Sequence, residues 1–338
     1  MKLCVYSTRP YDRDYLGRAS LATEHELEFL ETRLNLDTAA LAQGSTGVCC
    51  FVDDDLRAEV LERLAALGVR LIVLRATGFN NVDLPRADAL GLTVMRVSHY
   101  SPHSVAEFAV GLMLSLNRRI HKAYARVREG NFLLDGLMGF DMNGKTVAVI
   151  GTGKIGAATA RILLGFGCRV LATDQQPDPA LTELGCAYVP LEQALGEADI
   201  VTLHVPLTPQ THHLIDAAAL ARMRPGSMLI NTSRGALVDA TALIGALKAR
   251  RLAAVGLDVY EEESHLYFQN LSDEIIDDDI FMRLLGFPNV LITGHQAFFT
   301  HEAMTTIAET TLRNVADFTA GRRNENTLSA GQVIATAG

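Results

Sequence analysis

The five cysteines of this 338-residue chain contain no C-x-x-C pair. Cys4, Cys49, Cys50, Cys168 and Cys186 are odd in number, and Cys49 and Cys50 are adjacent, so neither a disulfide framework nor a zinc site is suggested. Several sit in apolar runs, where a thiol behaves as a small hydrophobe. A reducing cytoplasm is the expected compartment, and no metal is expected. No apolar run approaches the ~18 residues that a membrane span needs. The opening MKLCVYSTRP turns polar too soon for a signal peptide. Excess positive charge is also missing. The formal net charge of −9 argues against nucleic acid as the main partner, because phosphate binding needs a basic surface. No repeat at a solenoid period is visible, which excludes that architecture.

What is present is an alternation. The length suggests two domains. KLCVYS, GVCCFV, RLIVLRAT and TVMRV read as four buried strands in the first hundred residues, with the helix-like LRAEVLERLAAL between the second and third. Strands alternating with helices imply a parallel α/β sheet. The longest helical pattern follows, SPHSVAEFAVGLMLSLNRRIHKAY, with Pro102 suited to a first turn. Ser104 and Glu107 have the spacing of a capping box, and Val105, Phe108, Leu112 and Leu116 share a stripe. Six further strands are expected at KTVAVIG, RVLATD, ADIVTLHV, SMLINT, AAVGLDV and NVLITGH, the complement of a dinucleotide-binding sheet. His301 to Thr319 is helical again, and SAGQVIATAG looks frayed or linker-like. The division expected is 1–100 and 298–338 as a substrate domain, with 101–297 as an inserted cofactor domain.

The cofactor is suggested by VAVIGTGKIGAATARIL, which carries Gly151, Gly153 and Gly156 in the order G-x-G-x-x-G. Alone that pattern is weak. Here a strand precedes it, an alanine-rich helix follows it, and Asp174 closes the next strand. The glycines permit a tight turn and close approach of a pyrophosphate, while the helix N-terminus offers N–H donors. Asp174 would accept hydrogen bonds from the ribose hydroxyls and repel a 2′-phosphate. Gln175 and Gln176 supply no compensating arginine, so NAD is favoured over NADP.

Three strands of the second series end in residues unsuited to a core. Arg234 follows SMLINTS, Asp258 follows AAVGL, and His295 follows NVLITG, with Glu263 just beyond Asp258. In open α/β sheets ligands gather at the carboxyl ends of strands. Reducing a 2-oxo acid needs a carboxylate anchor, which a permanently charged, bidentate arginine provides. It needs a proton donor titrating near neutrality, which is the property of histidine, and a carboxylate to orient that ring. Arg234 is therefore the expected anchor, His295 the acid/base and Glu263 its partner. Plainer readings stand beside these: a surface ion pair for Arg234, a structural histidine, and a solvated acidic face for Glu261, Glu262 and Glu263.

GTGKIG with Asp174, INTSRGALVD, and GLDVYEEE followed by GHQAFFT together resemble the NAD-dependent D-isomer-specific 2-hydroxyacid dehydrogenases over nearly the whole chain. LRATGFNNVDL and VSHYSPHSVAE are similar to segments of the fermentative D-lactate branch of that family. The resemblance implies two α/β domains, a Rossmann-type cofactor domain inserted into a flavodoxin-like substrate domain, in a homodimer or homotetramer. It implies reversible hydride transfer between NADH and pyruvate, with Arg234, Glu263 and His295 as the catalytic trio. Thr77 and Gly78 would meet the substrate carboxylate, Tyr100 would stand at the active site, and Phe51 and Phe298 would confine the small methyl group. By the same matching Lys154 and Ile155 lie at the pyrophosphate turn, and Val205, Pro206 and Thr211 border the adenosine and phosphates. Thr232 and Ser233 line the cofactor beside Arg234, and Asp258 helps hold the nicotinamide end. Two rivals remain: a dehydrogenase for bulkier 2-oxo acids, and a non-enzymatic NAD(H)-sensing protein on the same fold. Ordinary core packing stays open for Phe51 and Phe298. The segment SHLYFQNLSDEIIDDD resembles an extension of the lactate branch and has no chemistry that the residues reveal.

Overall fold

A computed structural model describes residues 1–332 and divides the chain into two compact units, Met1–Ser101 with Phe299–Gly338, and Pro102–Phe298. Its strands, in chain order, are β1 (Lys2–Val5), β2 (Glu26–Phe29), β3 (Gly47–Cys50), β4 (Leu71–Leu74) and β5 (Thr93–Met95). Then follow β6 (Thr146–Ile150), β7 (Arg169–Thr173), β8 (Ala187–Tyr188), β9 (Ile200–Leu203), β10 (Ser227–Asn231), β11 (Leu252–Leu257), β12 (Val290–Ile292) and β13 (Thr327–Leu328).

The first unit is a six-stranded sheet in the order β13-β5-β4-β3-β1-β2, parallel except for the antiparallel β13. Its central strands read GVCC and LIVL and are buried at every residue, as expected for parallel strands covered on both faces. One face packs on Val60, Leu61 and Leu64 of the helix Ala58–Ala66. The other is covered by the helix His301–Thr319 through Ala308 and Val315. All five cysteines are free and buried, two of them side by side in β3.

The second unit is a seven-stranded, wholly parallel sheet in the order β12-β11-β10-β9-β6-β7-β8. The first strand, β6, lies inside the sheet between β7 and β9, so strand order reverses there. That is the switch point at which dinucleotides bind in doubly wound sheets. The helix Pro102–Asn117 packs against the helix Lys154–Gly165 and buries Val105, Leu112 and Leu116, with Phe108 partly buried beside them.

Several local expectations need correction. The helix at 102 starts at Pro102, which leaves Ser104 buried in its first turn instead of capping it. The pattern from 101 to 124 is not one helix. Arg119 adopts φ +50° and splits it into Pro102–Asn117 and Ile120–Arg128, so the longest helix is His301–Thr319. Each sheet also holds short edge strands that the apolar runs did not announce: β2 and β13 in the first, β8 in the second. The end of SAGQVIATAG, residues 333–338, lies outside the described residues. No helix among the described residues is long and apolar enough to cross a membrane.

Candidate active site

Register explains why motifs far apart in sequence meet. Ile150 pairs with Thr173 and Leu203, Leu203 with Asn231, Asn231 with Leu257, and Leu257 with Ile292. The last residues of these parallel strands therefore form one line across the sheet. Gly151, Asp174, Val205, Thr232, Asp258 and His295 follow just beyond it, on the same edge.

At the switch point Gly151 and Gly156 have different reasons to be glycine. Gly151 has φ +92°, and a Cβ there would lie 2.7 Å from the backbone of His204. A Cβ on Gly156 would lie 1.8 Å from the carbonyl oxygen of Gly151, so helix and turn could not pack. Gly153, the N-cap of the helix Lys154–Gly165, faces open space. The first-turn N–H groups of Lys154, Ile155 and Gly156 have no partner in their own helix. An anion can approach them there, and the arrangement fits a pyrophosphate.

Asp174 holds that turn from the neighbouring strand. Its Oδ2 accepts the backbone N–H of Thr152 at 2.6 Å and the Thr152 hydroxyl at 3.1 Å, while Oδ1 accepts Gln176 N–H at 3.0 Å. Burial opposes the charge, but these bonds outweigh it and hold the carboxyl below its ordinary range. Tyr188 donates to the Thr152 hydroxyl at 2.9 Å and accepts Asp178 N–H. Thr152 fills a variable position of the glycine pattern and Tyr188 lies outside it, so the pattern singles out neither.

Across β9 and β10 the chain ties itself together at the same edge. Ser233 Oγ donates to Val205 O at 2.6 Å, and Thr211 Oγ1 donates to Pro206 O at 2.6 Å. Thr232 Oγ1 is buried without a hydrogen-bond partner among the described residues, a state that a ligand would relieve. Arg234 is half-buried and makes one side-chain bond, to Ser233 O. Among the described residues it forms no ion pair.

His295 Nδ1 lies 2.7 Å from Glu263 Oε1, and Glu263 Oε2 accepts Tyr260 N–H at 2.9 Å. His295 itself is strained, with φ +51°. Asp258 supplies the support: Oδ1 accepts the Thr293 hydroxyl (2.6 Å) and Gln296 N–H (3.0 Å), Oδ2 accepts Ala297 N–H (2.8 Å), and its backbone carbonyl accepts His295 N–H (2.7 Å). Burial pushes the Asp258 carboxyl above its ordinary value against these bonds. Both of its oxygens are thus engaged in shaping the turn that presents His295. A cation, a histidine–carboxylate pair and an anion-binding turn on one strand-end edge can bind a dinucleotide and a small carboxylate and move a proton.

The NAD binding domain family of the D-isomer specific 2-hydroxyacid dehydrogenases matches residues 110–297. The chain belongs to that family. The D-lactate dehydrogenase of Escherichia coli K12 is 52% identical over 328 residues, which cover 97% of this chain and all of that protein. Its apo-structure superposes with a TM-score of 0.89, covering 97% of this chain and 100% of that one. A structure of the pyruvate reductase of Chlamydomonas reinhardtii gives a TM-score of 0.92 at 44% identity, covering 96% and 98%. A D-2-hydroxyisocaproate dehydrogenase gives 0.85 at 31% identity, covering 97% and 100%. The fold is the Rossmann-like NAD-binding fold of this family, the cofactor is NAD, and the chain is an NAD-dependent oxidoreductase.

In this dehydrogenase the other substrate candidates divide between the two units. Thr77 and Gly78 follow β4 in the first unit, where Arg96 donates to Thr77 O at 2.8 Å. Phe51 follows β3, with the buried guanidinium of Arg75 over its ring at 5.0 Å. Its N–H is held by Asp54 at 2.7 Å. Tyr100 is the next-to-last residue in the first stretch of that unit and is half-buried. Phe298, also half-buried, is the last residue of the second unit. From the unexplained segment after Glu263, Phe268 brings its ring 5.8 Å from that of His295. Sequence reasoning had no signal for it, since the contact joins two loops.

Proposed function

We propose that this dehydrogenase is a D-lactate dehydrogenase that reduces pyruvate with NADH. The observation that carries the reading is the His295–Glu263 pair, 2.7 Å apart, on the same strand-end edge as an arginine without an ion-pair partner among the described residues. Arg234 anchors the substrate carboxylate through its two-pronged guanidinium and draws charge from the adjacent ketone. His295 gives its proton to the ketone oxygen as that oxygen gains charge. Glu263 holds the ring by Nδ1, leaving Nε2 for the substrate, and stabilises the imidazolium. Bound NADH supplies the hydride to C2. The reverse sequence oxidises D-lactate.

For NAD itself, the reading assigns Gly151, Gly153, Lys154, Ile155 and Gly156 to the pyrophosphate and Asp174 to the adenosine ribose. Val205, Pro206, Thr211, Thr232, Ser233 and Asp258 border the remainder. Thr77, Gly78, Tyr100, Phe51 and Phe298 contact the substrate. A homo-oligomer fits the exposed apolar run Phe132, Leu133, Leu134 and Met138, since large uncovered apolar patches mark interfaces. Five free, buried cysteines fit a reducing cytoplasm.

The test is a steady-state assay with NADH and a series of 2-oxo acids, the products resolved by chirality. The highest kcat/KM is expected with pyruvate, giving D-lactate. A peak at 2-oxoisocaproate or phenylpyruvate would replace pyruvate with a bulkier substrate, and absence of turnover with all of them would favour an NAD(H)-sensing role.

A further inference from the structure

Behind the Arg234 segment, His212, His213 and Glu261 bring one ligand atom each to within 4.8 Å of one another. Among the described residues this is the one group of at least three His, Cys, Asp or Glu side chains close enough to share an ion. His213 Nε2 is 3.0 Å and His212 Nε2 is 3.6 Å from Glu261 Oε1. The two imidazoles stack with centroids 4.0 Å apart and planes 25° from parallel, so both rings present Nε2 to one carboxylate. Around a tetrahedral ion with bonds of about 2.0–2.1 Å, ligand atoms stand roughly 3.3 Å apart. The two measured separations bracket that value.

We infer that His212, His213 and Glu261 form a binding site for a divalent transition metal of the zinc class, with a position left open to water. Two imidazoles and one carboxylate suit zinc, cobalt or nickel and do not suit magnesium, which prefers an all-oxygen shell. Access is not an obstacle, because the three side chains retain 43%, 33% and 23% of their exposure. The nearby backbone gives the site a consequence. His213 N–H donates to Ala236 O at 2.8 Å, two residues after Arg234. Glu261 stands two residues before Glu263 and follows Tyr260, whose N–H bonds to the Glu263 carboxylate. An ion here would strap the turn at 211–213 to the segment that leads into Glu263. This inference is independent of the roles proposed for Arg234 and His295.

The experiment uses the full chain freed of metal by a chelator, titrated with Zn2+ calorimetrically and with Co2+ by its visible d–d absorption. One equivalent per chain is expected to bind, with the Co2+ band intensity of a low-coordinate nitrogen–oxygen site, and Zn2+ is expected to raise the unfolding temperature. Amide hydrogen exchange is expected to slow at 211–214 and 260–263 on adding Zn2+. His212→Gln, His213→Asn and Glu261→Gln should each weaken binding by about tenfold or more, on the scale seen when groups supporting a metal are removed. Asn tolerates the φ of +50° at position 213, so that variant tests the ligand and not the turn. His103→Ala, at an exposed histidine elsewhere, should bind as the parent does. Absence of a saturable equivalent overturns the site. So does undiminished affinity in the three single variants, which would move the ion to other histidines, and so does equal competition by Mg2+. Unchanged exchange at 260–263 would overturn the strap.

Discussion

Glu263 holds His295 with one carboxylate oxygen and its own chain with the other: Oε1 lies 2.7 Å from Nδ1, and Oε2 accepts Tyr260 N–H at 2.9 Å. The ring is therefore fixed at a point set by the backbone before any ligand arrives. Replacing the ring removes the proton donor, whereas neutralising the carboxylate keeps a hydrogen bond but loses its charge. His295→Gln is expected to lower kcat about 10²–10⁴-fold, the usual scale of general acid catalysis. Glu263→Gln forfeits a charge-assisted bond worth about 1.5–3 kcal/mol, or roughly tenfold to a hundredfold in rate. Stopped-flow and steady-state NADH oxidation measure both. A milder effect at 295 than at 263 would reverse the assignment.

Arg234→Lys keeps the charge and loses the planar fork. Bidentate recognition of a carboxylate fixes the direction of the adjacent ketone as well as binding it. The expected outcome is a raised KM for pyruvate together with a lowered kcat, since uniform binding alone would move KM only. Near-parental kcat/KM would remove the anchor role.

Asp174 governs cofactor choice through its charge. Hydrogen bonds from Thr152 and Gln176 hold its carboxyl below the ordinary range despite partial burial, so it stays ionised throughout pH 5–8. Rejection of NADPH by the parent enzyme should therefore persist across that whole interval. The sign also applies to stability: a depressed acid contributes above its unfolded value, and that contribution is lost only as the pH falls through the folded one. Asp174→Ala should raise kcat/KM for NADPH relative to NADH. An unchanged ratio would show that the carboxylate does not face the ribose.

What could be read from the sequence was whatever rests on short-range chemistry. The Gly151–Gly156 turn, the acid closing β7 and the strand-end positions of Arg234, Asp258 and His295 follow from local pattern and the logic of parallel sheets. Asp239 caps the helix Ala240–Lys248, accepting Ala242 N–H. The misses depend on contacts between distant segments. Glu26–Phe29 is only partly buried, so β2 lacks the continuous apolar signature of β3 and β4. The positive φ at Arg119 interrupts a helical pattern that periodicity alone would continue. Besides the cofactor role expected of it, Asp258 builds the His295 turn through three bonds accepted by its side chain, a function visible only once Thr293, Gln296 and Ala297 fold back on it.

Gly235 offers the most direct structural test. It directly follows Arg234, and its φ does not fall in the left-handed region. The reason for glycine is contact: a Cβ there would lie 2.0 Å from Tyr260 C, 2.2 Å from Tyr260 O and 2.3 Å from Glu261 N. All three are backbone atoms and cannot rotate aside, so Gly235→Ala must push apart the segments bearing Arg234 and Glu263. Overpacking of this kind costs about 1–3 kcal/mol. Gly245, inside the helix Ala240–Lys248, has nothing within 4 Å of a built Cβ, and Gly245→Ala should stabilise by about 0.4–1 kcal/mol. Urea midpoints should thus move in opposite directions for the two substitutions, and kcat should fall only in Gly235→Ala. Equal midpoints would mean that the two segments do not touch as described.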